Sequence, residues 1–159
     1  MTDPIQKVLD AAKADARLVV ERGGDNRGWE VEAILQSVGL APGNPWCAAW
    51  VYWTGRYALG TKWPLPRTGS CAALGDYGKQ KGLLLTRPAE GDVFLLWSPS
   101  LNRFHHTGFV TKALSGDRYC TVEGNTNDDG SVNGWGVLER QRRMADSDRF
   151  LRWASEVTP

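Results

Sequence analysis

The chain predicts an α+β fold, with N-terminal helices packed on a largely antiparallel sheet, and two observations predict it. Up to about residue 82 the apolar side chains recur at helical spacing, and after Pro88 they fall into short β-type runs divided by turn signals. Within 159 residues there is no internal repeat, low-complexity stretch or linker, so one domain spanning 1–159 around one core is expected.

The first helix is expected over residues 4–21, where Pro4 follows the capping Asp3 and Ile5, Val8, Leu9, Ala12 and Leu18 share a stripe. The polar loop Gly23-Gly24-Asp25-Asn26-Arg27-Gly28 ends it. A second helix fits residues 29–38, with Val31, Ile34, Leu35 and Val38 on one face and Gly39 at its end. The third is expected over 45–59, capped by Asn44 and opened by Pro45, with Cys47, Trp50, Val51, Thr54 and Ala58 on one face. A fourth starts at Ser70 and stops by Gly82. Strands follow over 92–97, 104–113, 119–124, 136–143 and 150–154. The turn signals between them are Ser98-Pro99-Ser100, Ser115-Gly116-Asp117 and Asn127-Asp128-Asp129-Gly130. Helices first and a meandering sheet afterwards make the α+β class.

Charge and composition exclude several functions. A net charge of +1 and a pI near 7.7 give no basic field for a polyanion, so nucleic acid is not an expected partner. No apolar run approaches the ~18 residues of a membrane span, so no integral membrane segment is expected. The charged N-terminus lacks the apolar core of a secretory signal, which predicts synthesis in the cytoplasm without a signal peptide. The three cysteines, at 47, 71 and 120, have no zinc-ligand spacing, and Cys71 and Cys120 read as core fillers. Of the eight tryptophans, Trp50 and Trp53 read as core, whereas Trp46, beside a cysteine, reads as the wall of a substrate groove. Arg140, Arg142, Arg143, Arg149 and Arg152 read as solvated strand faces.

Cys47 is the residue with chemistry in its position. If Asn44 caps and Pro45 opens the helix, Cys47 falls third, where unpaired N–H groups and the helix dipole favour a thiolate. Its own N–H then suits the oxyanion of a tetrahedral intermediate. A cysteine nucleophile needs a base, and the only histidines are His105 and His106 on one expected strand. Alternation sends them to opposite faces without choosing between them. On the next strand Thr121, Glu123 and Asn125 share a parity, so Glu123 or Asn125 can orient an imidazole.

These residues resemble the CHAP domains of the papain-like NlpC/P60 group of cysteine amidases and peptidases, from about Asn44 to Arg143. The likeness lies in Pro45-Trp46-Cys47-Ala48-Ala49-Trp50-Val51, Gly91-Asp92-Val93, His106-Thr107-Gly108-Phe109-Val110 and Val122-Glu123-Gly124-Asn125-Thr126. It implies a papain-like fold, Cys47 as nucleophile, His106 as general base and then acid, Glu123 as orienting residue and Asn125 as a supporting polar group. Gly91-Asp92 reads as a turn entering the first strand. Some relatives bind calcium through aspartates before the cysteine, but Val38-Gly39-Leu40-Ala41-Pro42-Gly43-Asn44 lacks such ligands, so neither metal nor cofactor is expected.

The activity implied is hydrolysis of an amide in peptidoglycan, by an N-acetylmuramoyl-L-alanine amidase or a stem-peptide endopeptidase. A phage-type lysin released by a holin, or an antibacterial effector with secretion machinery and a cognate immunity protein, would bring such an enzyme to the cell wall or periplasm. A monomer is expected. The alternatives are an intracellular cysteine amidase or acyltransferase on a small γ-glutamyl or polyamine conjugate, and a non-catalytic glycan- or peptide-binding module.

Overall fold

The Asp3 carboxylate accepts from the backbone N–H of Ile5, and Pro4 opens the first helix, α1 (Pro4–Asp15). The structure is a computed structural model that describes residues 3–126 and 134–157. α1 buries Val8, Leu9 and Ala12, but it ends at Asp15 rather than at residue 21. Arg17 turns left-handed at φ 62°, and the chain then runs extended beside a strand. The Val137 N–H donates to Val19 O at 3.0 Å, and the Glu21 N–H to Trp135 O at 2.7 Å. The reason is local, since β-branched Val19 and Val20 fit an edge pairing better than another helical turn.

Three more helices follow: α2 (Trp29–Ser37), α3 (Cys47–Leu59) and α4 (Cys71–Lys81). α3 begins later than its turn signal implies. Asn44 does not cap it but donates from Nδ2 to Ala41 O, and Trp46 occupies the capping position, so Cys47 is the first helical residue rather than the third. α4 has a complete set of caps, with Ser70 Oγ accepting from the Ala73 N–H and Gly82 left-handed at φ 68°.

Among the described residues six strands form one wholly antiparallel sheet: β1 (Leu84–Leu85), β2 (Val93–Ser98), β3 (Arg103–Ala113), β4 (Arg118–Thr126), β5 (Gly136–Arg143) and β6 (Arg149–Leu151). Their order is β1-β6-β2-β3-β4-β5, so only β2 to β5 meander, and β6 returns to the far edge of β2. The chain does not continue as strand beyond β6. Residues 153–156 make a 3₁₀ turn that buries Trp153, whose Nε1–H donates to Gly91 O at 2.7 Å. The expected turn Asn127-Asp128-Asp129-Gly130 lies outside the described residues.

α3 is the central helix, packed between α1 and α2 and against β3 and β4. Its Trp50 ring meets Phe109 edge-on at 5.6 Å, and Gly55 leaves space filled by Trp63. Phe94, Val110, Tyr119 and Phe150, at the alternate strand positions, build a second apolar cluster. Among the described residues no helix is long and apolar enough to cross a membrane.

Candidate active site

The N-terminal turn of α3 delivers Cys47 to the floor of a cleft of about 440 Å³, whose walls include Arg67, Ser70, Arg103 and His105. Cys47 is 3 % exposed there. Starting a helix gives its sulfur two advantages. The dipole of α3 favours negative charge at this end, and the Ala48 N–H bonds the sulfur.

β3 brings the histidines. His106 is fully buried, and its Nε2 stands 3.0 Å from Glu123 Oε1. A carboxylate at that distance fixes the proton on Nε2 and leaves Nδ1, which has no hydrogen-bond partner among the described residues, to serve Cys47. His105 is half-buried on the cleft wall with Nδ1 against the Leu96 carbonyl at 3.0 Å, so both histidines stand near Cys47 and only His106 has a carboxylate. Burial opposes charge on His106, but its contacts with Cys47 and Glu123 prevail and raise it to about 9.

β4 supplies the carboxylate. Glu123 is completely buried, and every lone-pair direction is used. Oε1 accepts from His106 and from Arg142 Nη2, and Oε2 accepts from Arg142 Nε and Thr121 Oγ1, both at 2.6 Å. Desolvation works against the anion, yet Arg142 and His106 hold its carboxyl down at about 2. Arg142, on β5, is thus not a solvated strand residue but the clamp on Glu123, with its guanidinium over the Phe94 ring. Arg152 departs from expectation in the same way, pairing with buried Asp92 through Nε at 3.1 Å and Nη2 at 2.9 Å. Asp92 also accepts from the Ala89 N–H, and the Gly91 N–H donates to Val110 O, so the Gly91-Asp92 turn is tied to β3 where it enters β2.

Two glycines allow these elements to approach. A Cβ on Gly108 would come within 2.7 Å of Val122 O and 2.8 Å of Glu123 Cβ. One on Gly124 would meet the Trp46 ring at 2.9 Å and Trp50 Cβ at 3.1 Å.

Two expected site residues lie elsewhere. Trp46 is not a groove wall. Its ring is fully buried and its Nε1–H donates to Glu21 Oε1 at 3.0 Å, because the residue just before α3 faces inward. Trp53, read as core, is instead 38 % exposed. Asn125 adopts φ 59° at a slip in the β4–β5 register, which breaks its parity with Glu123. Its side chain is buried, and its amide has no hydrogen-bond partner among the described residues.

Sequence reasoning missed Cys71. The first residue of α4, it is 5 % exposed, and its Sγ lies 3.7 Å from Cys47 Sγ. The Cys71 contact lowers the Cys47 thiol the most; burial opposes it, His106 adds to it, and the thiol ends well below its ordinary value. Cys71 itself is driven well up by the same contact and by burial. The arrangement can therefore hold a thiolate beside an imidazolium backed by a carboxylate, which suits nucleophilic attack on a carbonyl followed by proton delivery to the leaving group. Among the described residues no three His, Cys, Asp or Glu side chains converge as ligands for a metal.

No model of a known protein family matches the chain, and no curated protein matches it.

Proposed function

We propose that this chain is a papain-like cysteine hydrolase of the CHAP type, cutting an amide bond of peptidoglycan. The observation that carries the reading is the 3.0 Å contact of His106 Nε2 with Glu123 while the imidazole stands beside Cys47 at the start of α3. In the first step the Cys47 thiolate attacks the amide carbon. The carbonyl becomes an oxyanion near the N–H of Cys47, which at the first helical position has no intrahelical acceptor. His106 then passes its Nδ1 proton to the departing amine, giving a thioester. Water, deprotonated by the same nitrogen, attacks the thioester and frees the acid and Cys47. Glu123 stays ionised throughout and keeps the ring oriented.

The cleft wall favours a peptide that carries carboxylates, as peptidoglycan stem peptides do. Arg67 and Arg103 line it and no Asp or Glu among the described residues does. Both an N-acetylmuramoyl-L-alanine amidase and a stem-peptide endopeptidase fit this chemistry. The test is digestion of purified peptidoglycan followed by mass spectrometry of the soluble fragments. Intact stem peptides freed from muramic acid identify the amidase, and shortened peptides with new amino termini identify the endopeptidase. An unchanged polymer refutes the reading and favours a small intracellular amide as substrate.

A further inference from the structure

Two thiols meet on the floor of the cleft because two helices begin there. Cys47 opens α3, Cys71 opens α4, and both residues are almost fully buried with their sulfurs 3.7 Å apart. Sulfur makes long hydrogen bonds, so one of the pair is a donor to the other. The surroundings decide which one. On β3, His106 stands against Cys47, and behind it on β4 is Glu123, held by Arg142 of β5. His105 and Arg103 of β3 and Arg67, before α4, complete the ionisable groups around the cleft. The charged groups that act on Cys71 are Cys47 itself and Arg103, whereas the His106 imidazole acts on Cys47. The imidazole therefore takes the proton of Cys47, and Cys71 keeps its own.

We propose that Cys71 is a positioning residue for the nucleophile: its S–H donates to the Cys47 thiolate and holds that sulfur at the start of α3, facing His106. The assignment rests on Cys47 being the nucleophile of the function proposed above, and it does not depend on which amide is cut. The bond has two opposed effects. It stabilises the thiolate, which enlarges the reactive fraction in acid, and it draws charge from the sulfur, which lowers the intrinsic nucleophilicity of each thiolate. When the sulfur acylates, its charge passes to the carbonyl oxygen and the Cys71 bond weakens, so the donor matters most to the free enzyme.

Alkylation by iodoacetamide, read at Cys47 by peptide mass spectrometry over a range of pH, tests this. With Cys71→Ala the midpoint should rise by about one pH unit, so labelling on the acid limb falls about tenfold, as expected for loss of one hydrogen bond to a charged group. The alkaline plateau should rise. Cys71→Ser keeps a donor and should restore the wild-type midpoint. An unchanged midpoint in Cys71→Ala, or a serine variant that behaves like alanine, overturns the proposal. If the alanine variant does not fold, the wild type still decides, because Cys71 labelling ahead of Cys47 also overturns it. Peptidoglycan left intact by wild type, together with the expected midpoint shift in Cys71→Ala and its recovery in Cys71→Ser, refutes the hydrolase reading alone and supports the role of Cys71.

Discussion

Arg142 grips both oxygens of Glu123, Nε on Oε2 at 2.6 Å and Nη2 on Oε1, and so joins β5 to the carboxylate that orients His106. A lone carboxylate could not remain ionised at complete burial; the bidentate pair makes that possible. Removing one partner leaves a buried charge. Arg142→Gln is expected to cost about 3 kcal/mol of stability in urea denaturation. Adding Glu123→Gln should recover part of that loss, giving a double-mutant cycle with clear coupling.

In the hydrolase proposed above, the thiolate–imidazolium pair would set the pH range of turnover. His106 is raised to about 9, and amine departure needs its proton, so acylation should fall as pH rises through about 9. The acid limb should follow Cys47, displaced well below an ordinary thiol. Initial rates on a soluble amide substrate across this range check both limbs.

Stability should follow a different pH dependence. A His106 value raised from 6.5 to about 9 favours folding below 6.5, a contribution lost as pH rises through 9. The depressed Cys47 value acts in the opposite direction, because one proton has merely moved between the two groups, so stability should vary little across that window. Glu123, lowered from 4.5 to about 2, contributes above 4.5, and this is lost as pH falls through about 2. Denaturation midpoints should therefore drop in acid more steeply for wild type than for Glu123→Gln.

Gly108 holds β3 and β4 close enough for His106 to reach Glu123. Gly108→Ala puts a methyl group against the Val122 carbonyl, where backbone must move. A loss of about 2 kcal/mol, typical of overpacking, is expected in thermal denaturation, with a larger proportional loss of activity.

Trp46 separates a core role from a substrate role. Trp46→Phe retains most of the buried ring and removes the hydrogen bond to Glu21, so it should cost about 1 kcal/mol and leave KM unchanged. A raised KM at unchanged stability would restore Trp46 to the groove.

Much of this architecture is legible in the sequence, because periodicity is a local signal. The buried face of α3, with Cys47, Trp50, Val51 and Thr54, follows from helical spacing, and the shared side of Thr121 and Glu123 follows from strand alternation. What stays hidden depends on partners distant in the chain. A strand arginine looks the same in sequence whether it faces water or, like Arg142, closes on a carboxylate 19 residues earlier. Cys71 reads as a core filler because nothing local shows that α4 begins where α3 begins. Trp46 misleads for the opposite reason, since adjacency to Cys47 does not place two side chains on one side of the chain. The start of α3 is displaced because Asn44 bonds back to Ala41 instead of capping forward.

In the proposed mechanism Cys47 is a nucleophile held active by His106 and Glu123. The most direct measurement is the rate of release of soluble fragments from purified peptidoglycan by wild type and Cys47→Ala, with urea unfolding of both proteins. Fragments from wild type alone, with stabilities within about 1 kcal/mol, are the predicted result, since losing one sulfur next to a cleft removes little packing. Equal release by the two proteins, or a Cys47→Ala protein that no longer folds while other core variants of similar size do, would contradict a nucleophilic role for Cys47.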